Sequence, residues 1–262
     1  MDTGRCRLSV EKGKVHIRTG AARVGQGLDT VMMQIACETL NIPIDKIVME
    51  APNTQRTPDS GTSTASRQTL FTGQAVTLAC GKMRARLDAG ETIESLEGKE
   101  YYGEYTCETD PITTTKENPF SHVAYSYGAQ VAILNDSGKV SEVYAAYDVG
   151  RVINKKNAEG QVEGGILMGM GYALTEDYIL KDGIPQMKYA TLGLLRSTDM
   201  PKMEIAFVNR QPREELAYGA KGIGEIATIP TAPAVAGAYF AFHGEHRTSL
   251  PLENTSYRKQ AK

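Results

Sequence analysis

Short loops of glycine and small polar residues stand directly before stretches with helical spacing, and this feature most constrains the fold. The loop VGQG precedes apolar side chains at every third or fourth position, which are Leu28, Val31, Met32, Ile35, Ala36 and Leu40. That period predicts an amphipathic helix, which Pro43 stops. The loop SGTSTASRQT leads in the same way into a second long helix. We expect two more such starts, at EGQVEGG and at GAKGIGEIA.

Predicted hairpins and single strands separate these helices. CRLSV and VHIRTG are joined by the turn EKGK, and HVAYSYGAQVAILN and KVSEVYAAYDVG are joined by DSG. A further strand is expected at KMEIAFVN. Hairpins mixed with helices predict an α+β fold of two lobes, not a doubly wound parallel sheet.

The lobe boundary is expected in a polar, irregular region at residues 88–120. The sequence therefore predicts a first lobe at residues 1–100, a connection at 101–120 and a second lobe at 121–262. Because the chain begins inside a predicted hairpin, we expect it to be the later piece of a longer protein.

Composition excludes several classes of function. The 262 residues carry a formal net charge of −2, which gives no basic surplus for nucleic acid. No run of 18 apolar residues indicates a membrane span. The four cysteines lie far apart, with no C-x-x-C pattern for a metal or a redox pair. We therefore expect reduced thiols, a cytoplasmic location and no protein ligands to a metal.

The glycine-rich loops share the ability to bind a polar ligand. A helix N-terminus offers free N–H groups and a partial positive charge, and glycine lets the backbone approach a ligand closely. One such loop is ordinarily only a turn and a cap. Four in one chain predict a large polar ligand with phosphate groups.

Glu225 directly follows the last of these loops. GIGEIA fits the dinucleotide pattern G-x-G-x-x-A, but the preceding QPREELAYGAK is polar where that fold needs an apolar strand. An unrelated nucleotide-binding domain is therefore disfavoured. Two roles for Glu225 stay open: an acid that interacts with the dipole of the following helix, and a general base. The local sequence alone favours the first.

Four motifs in a fixed order resemble one family. They are GQG, then PDSGTSTASRQTLFTGQA, then YDVGRVINKKNAEGQVEGGILMGMGYALTE, and finally GAKGIGEIA. Together they resemble the C-terminal molybdopterin-binding region of the xanthine dehydrogenase and aldehyde oxidase family, over residues 1–242. The stretches DTGRCRLSV and DSGTSTASRQTLFTGQA are most similar to bacterial purine hydroxylases, including a group with a selenium-dependent enzyme.

The resemblance implies a fold of the molybdenum-cofactor-binding type and a role for each matching residue. Glu225 matches the catalytic base, and Gln161 matches a glutamine near the pterin and the metal. Lys221 lies beside the base and Gly222 and Gly224 frame it, and all three are expected to bind the cofactor. The remaining matches line the cofactor: Gly25, Gln26, Gly27, Thr64, Ala65, Ser66 and Arg67. The pterin itself holds the metal, so no side chain is expected to be a metal ligand.

The implied reaction is the oxidation of a purine, a related N-heterocycle or an aldehyde, with water as the oxygen source. The implied cofactor is molybdopterin, in bacteria often the cytosine dinucleotide. Iron–sulfur clusters, FAD and the upstream half of the molybdenum domain would lie on other domains or subunits. We therefore expect this piece to be inactive alone, and homo-oligomers are common in the family. The alternative is a non-catalytic molybdopterin-binding or assembly module.

Overall fold

The α+β prediction is confirmed by a computed structural model, which describes residues 2–208 and 216–258. The described residues divide into two compact units. Unit 1 contains residues 2–125, 149–157 and 216–222, and unit 2 contains residues 126–148, 158–208 and 223–258.

A four-stranded sheet with two helices forms unit 1. The strands are β1 (Asp2–Glu11), β2 (Lys14–Arg18), β3 (Ile47–Met49) and β4 (Glu100–Cys107), in the spatial order β3-β2-β1-β4. The helices are α1 (Leu28–Leu40) and α2 (Gln68–Asp88). The first predicted hairpin and both predicted helices are therefore confirmed. Alternate strand residues such as Leu8 and Ile17 point into the core and meet the apolar faces of the helices, including Met32 and Met83.

Helix α2 lies directly on two glycines of the sheet. A side chain at Gly4 would overlap the Phe71 carbonyl group, and one at Gly103 would overlap the Ala75 carbonyl oxygen. Because these two strand positions have no side chain, the backbone of α2 lies closer to the sheet than any other residue type would allow.

The expected connection at residues 101–120 begins inside a strand, so the structure corrects the predicted boundary. β4 pairs antiparallel with β1 from Asp2↔Cys107 to Ser9↔Glu100. EYYGEYTC suggested a polar loop because its glutamates lie on the solvent face, whereas Gly103 faces α2. The predicted second lobe is also divided, since residues 149–157 and 216–222 belong to unit 1.

Unit 2 is built on a three-stranded sheet of order β5-β6-β9. β5 (Tyr127–Leu134) and β6 (Val140–Asp148) form the second predicted hairpin, and β9 (Lys202–Phe207) pairs parallel to β6. A two-stranded ribbon of β7 (Leu180–Lys181) and β8 (Ile184–Pro185) lies between them in sequence. Helices α3 (Lys155–Leu174) and α4 (Thr231–His243) complete the fold, and α4 packs on β5.

Two predicted helix starts are wrong. α3 begins at Lys155, so EGQVEGG lies inside the helix and is not a loop before it. The Asn154 side chain accepts the Asn157 N–H at 2.9 Å and caps the helix there.

The last helix begins at Thr231, six residues after Glu225, and residues 224–230 form consecutive turns. Pro230 lacks an N–H group and disfavours a helical conformation at Ile229, so the helix cannot extend back to Glu225. Within the described ranges, no helix is both long enough and apolar enough to cross a lipid bilayer.

Candidate functional site

The loop before α1 is held in shape by Gln26. Its amide nitrogen donates to the Ala22 carbonyl at 3.0 Å, and its amide oxygen accepts the Val24 N–H at 2.9 Å. Gly25 and Gly27 have φ angles of 91° and 79°, a left-handed conformation that favours glycine. A side chain at Gly25 would meet no atom within 4 Å, so a ligand has access to the backbone there.

Arg67 is a buried anchor of the second predicted loop. Its guanidinium donates to the carbonyls of Ser60 at 2.7 Å and Thr62 at 3.0 Å. It also donates to the Thr3 carbonyl at 2.5 Å, and its Nε lies 2.6 Å from an Asp2 carboxylate oxygen, in an ion pair without hydrogen-bond geometry. Because the side chain is only 4% exposed, its interactions fix the loop from inside.

Two residues of the same loop adopt costly backbone conformations. Ala65 and Ser66 have φ angles of 49° and 52°. A left-handed conformation costs a non-glycine residue about 1 kcal/mol or more, and such strain is concentrated at functional sites. Gly222 lies against this loop, because a side chain there would come within 2.7 Å of the Ser66 Cβ. The loop and the segment before Glu225 are therefore in direct contact within unit 1.

Ser63 joins this loop to the loop before α1. Its hydroxyl donates to the Ala22 carbonyl at 3.1 Å and accepts from the Gln68 amide at 3.0 Å. Unit 1 thus brings together three predicted groups, which are Gly25–Gly27, Thr64–Arg67 and Lys221–Gly222. Asn157, which no motif indicated, lies against Gly27, where its side-chain amide nitrogen would be 2.4 Å from an added Cβ.

Both helices that start here lack a side-chain cap. α1 begins directly after Gly27, and α2 begins directly after Arg67. Their first N–H groups are therefore suited to bind an anion such as phosphate. Asp29, an acid in the first turn of α1, is neutralised by Arg23 at 2.6 Å. These backbone donors, with the exposed Thr64, fit a phosphorylated cofactor.

Unit 2 carries the other predicted residues, Gln161, Gly224 and Glu225. Glu225 is exposed on the turns that precede α4. Ala227, two residues later, is fully buried, and a side chain at Gly165 of α3 would lie 2.5 Å from its Cβ. The half-buried Gln161 lies one helical turn before Gly165. The close approach of α3 therefore brings Gln161 and the Glu225 loop to one part of unit 2.

Three potential metal ligands, Glu11, His16 and Glu50, lie together on the outer face of the unit 1 sheet. Arg18, whose side chain is 2% exposed, forms an ion pair with both carboxylates, and its distance to Glu50 is 2.6 Å. The hydrogen bonds from Ser9 and Arg18 lower the pKa of Glu11. The acids thus neutralise a buried cation, and the cluster is an ion-pair network, not a metal site.

A cleft of about 880 Å³ in unit 1 is lined by none of the predicted residues. Arg151 lies there over the Tyr218 ring at 5.3 Å and 3.3 Å from the Glu38 carboxylate. No motif in the sequence indicated this cleft.

Comparisons with known proteins identify relatives of this chain. The chain is similar to the putative xanthine dehydrogenase molybdenum-binding subunit XdhA of Escherichia coli (strain K12), with 26% identity over 94% of this chain and 37% of the relative. It is 30% identical to the aldehyde oxidoreductase of Megalodesulfovibrio gigas over 91% of this chain and 28% of the relative. The chain thus spans well under half the length of these relatives.

A solved structure has the same fold. It is an aldehyde oxidoreductase from Desulfovibrio gigas, with a TM-score of 0.81 and 27% identity, over 95% of this chain and 29% of that chain. The model of the molybdopterin cofactor-binding domain matches residues 1–98 and 88–201, which is more than half of the sequence. The chain belongs to the molybdopterin cofactor-binding domain family.

Proposed function

We propose that this chain is the C-terminal cofactor-binding portion of a molybdenum hydroxylase. Its substrate class is a purine, a related N-heterocycle or an aldehyde, and water supplies the oxygen. The names of the similar proteins, a xanthine dehydrogenase subunit and an aldehyde oxidoreductase, support this class. The observation that carries the proposal is the exposed carboxylate of Glu225. Its loop is anchored two residues later by the buried Ala227, which packs against α3.

The chain's own residues divide the work in this proposal. When bound, the molybdenum cofactor supplies the redox chemistry. The first N–H groups of α1 and α2 bind its phosphate groups, and the strained loop at Ala65 and Ser66 lines the pterin. Gly25 gives the ligand access to the backbone. We propose a dinucleotide form, because two uncapped helix starts in one unit suit a pyrophosphate, and the family resemblance favours cytosine as its base.

Glu225 accepts a proton at its carboxylate during the reaction. The exposed position of Glu225 on the turns before α4 leaves the carboxylate accessible to a proton donor, as a general base requires. Gln161 lies one helical turn from the contact of Gly165 with Ala227, which holds the Glu225 loop. Its amide orients the reacting groups. Lys221 adds a positive charge four residues before the base. Arg67 acts indirectly, since its donors bind the loop from inside.

The proposed partners are the parts of the enzyme that this chain does not cover. They are the upstream half of the molybdenum domain and the iron–sulfur and flavin domains or subunits that carry electrons away. The names of relatives as molybdenum-binding or complex subunits support such an assembly. A cytoplasmic location is part of the proposal, and the free cysteines Cys6, Cys37, Cys80 and Cys107 support it. Self-association and a selenium-dependent activity stay predictions.

The test uses the complete holoenzyme that contains this chain. Molybdenum and pterin are measured first, and xanthine and benzaldehyde are then offered with an artificial electron acceptor. We expect Glu225→Gln to retain molybdenum and to lose turnover by about 100-fold or more, the scale of general base catalysis. Glu245→Gln is the matched control, since Glu245 is an exposed acid elsewhere in unit 2. Normal turnover by Glu225→Gln would refute the base role. Bound molybdenum without any turnover by the unmodified enzyme would favour the assembly module.

A further inference from the structure

Three side chains of unit 2 donate to one backbone oxygen close to Glu225. The Ala227 carbonyl accepts from the Gln130 amide at 3.0 Å, from the Tyr147 hydroxyl at 3.1 Å and, more weakly, from the Thr231 hydroxyl at 3.4 Å. Gln130 also donates to the Tyr147 hydroxyl. A carbonyl has two lone pairs, so its capacity is fully used.

Most of the residues that meet there are buried, and Gln130 is partly buried. Tyr147 and Ala227 have no exposed surface. Burial raises the pKa of the Tyr147 hydroxyl, which therefore stays protonated and able to donate. A phenylalanine at this position would fill the same space without the cost of removing a hydroxyl from water. The buried Tyr147 hydroxyl and the partly buried Gln130 amide thus hold the chain at Ala227 in a specific place.

The opposite side of Ala227 is closed by α3. The Gly165 backbone leaves only enough space for the Ala227 side chain, and the Thr228 hydroxyl donates to the Gly165 carbonyl at 3.2 Å. Hydrogen bonds from β5 and β6 and the contact with α3 therefore fix the same residue. Sequence connectivity then limits the position of Glu225, whose Cα lies within about 7 Å of the Ala227 Cα.

We propose that Gln130 and Tyr147 are positioning residues, which place the Glu225 carboxylate by fixing the Ala227 carbonyl. This inference rests on the proposed role of Glu225 as the base. Neither residue touches the reacting groups in this account. Their effect on the reaction is transmitted through the backbone from Ala227 to Glu225.

The experiment compares Tyr147→Phe and Gln130→Met with Tyr144→Phe in the complete holoenzyme. Tyr144 lies on the same strand, but it is exposed and donates to Glu142 at 2.6 Å, so its variant controls for loss of a tyrosine hydroxyl. We expect kcat to fall about 10-fold in the first two variants, because a shift of about 1 Å in a catalytic group costs up to about 100-fold. KM and molybdenum content should stay within about twofold of the unmodified enzyme.

Hydrogen exchange of the segment 223–231 provides a readout that needs no substrate. The amides of this segment should exchange about 10-fold faster in Tyr147→Phe and Gln130→Met, because one anchor of the loop is lost. The same segment in Tyr144→Phe should exchange at the unmodified rate. If Tyr147→Phe does not accumulate as folded protein, Gln130→Met carries the same test.

Two results would overturn the positioning role. The first is that Tyr147→Phe and Gln130→Met have the same amide exchange rates and the same kcat as Tyr144→Phe. The other is a parallel loss of molybdenum, thermal stability and kcat, which would indicate only a general contribution to the core. Normal turnover by Glu225→Gln would instead refute the base role, and the exchange rates would then show independently whether the loop is anchored at Ala227.

Discussion

Gly165→Ala tests the close approach that fixes the Glu225 loop. The new Cβ would lie 2.5 Å from the Ala227 Cβ and 3.2 Å from its carbonyl carbon. Carbon atoms in favourable contact are about 3.5–4.0 Å apart, so the loop or the helix must move by about 1 Å. Gly164→Ala is the matched control, since a side chain there meets no atom within 4 Å.

The pair of variants isolates this contact from helix propensity. Both replace a helical glycine by alanine, which alone stabilises by about 1 kcal/mol. Overpacking of a core site costs about 1–3 kcal/mol, and only Gly165→Ala carries that cost. The two variants should therefore differ by about 1–3 kcal/mol in the free energy of unfolding. At about 2–4 °C per kcal/mol, Gly165→Ala should have a Tm roughly 2–12 °C below that of Gly164→Ala.

Thermal unfolding and turnover of the holoenzyme are the assays for this pair. A 1 Å displacement near the base should lower kcat by up to about 100-fold in Gly165→Ala, with little change in Gly164→Ala. Equal Tm and equal kcat for the two variants would refute the reasoning, because the loop would then not depend on the absence of a side chain at Gly165.

Three further predictions concern the ion pairs and the sheet of unit 1. Glu50→Ala should destabilise by about 3–5 kcal/mol in urea unfolding, because it leaves the buried Arg18 guanidinium without a main partner, whereas the exposed Glu104→Ala should cost much less; equal losses would contradict this. Burial alone would raise the pKa of Glu50, but hydrogen bonds from Arg18 lower it below 4.5. The stability contributed by this carboxylate is therefore fully present above about pH 4.5 and is lost as pH falls through the lower folded pKa. If the urea midpoint of Glu50→Gln depended on pH as strongly as that of the unmodified protein, the assignment would be refuted. Gly103→Ala should prevent stable folding, since its side chain would overlap the α2 backbone, while Gly81→Ala on the open side of α2 should not reduce the Tm.

Local patterns predicted the elements whose signals lie within a few residues. The apolar period of α1, the turn EKGK and the hairpin at DSG have this property, and all three are confirmed. β4 was missed because its inward face is completed by Gly103, whose meaning depends on the distant helix α2. The helix α3 begins earlier than predicted because Asn154 caps it before EGQVEGG, whose glycines suggested a loop.

The site shows the same division between local and long-range information. The motifs predicted the residues at both helix starts of unit 1. The sequence could not distinguish Gly165, where an added Cβ would lie 2.5 Å from the Ala227 Cβ, from Gly164, where an added Cβ would meet no distant atom within 4 Å. It also could not reveal that Arg67 binds carbonyl groups of Thr3 and Ser60, because these partners are set by the pairing of distant segments.

Single-turnover kinetics show whether Glu225 is the base of a molybdenum hydroxylase, because they isolate the chemical step. Holoenzyme carrying Glu225→Gln or the control Glu245→Gln is mixed with xanthine or benzaldehyde, the rate of enzyme reduction is recorded, and molybdenum per protein is measured on the same samples. If Glu225 is the base, the molybdenum content per protein is unchanged in both variants, and the reduction rate is about 100-fold or more lower in Glu225→Gln alone. An unchanged reduction rate in molybdenum-loaded Glu225→Gln would contradict it.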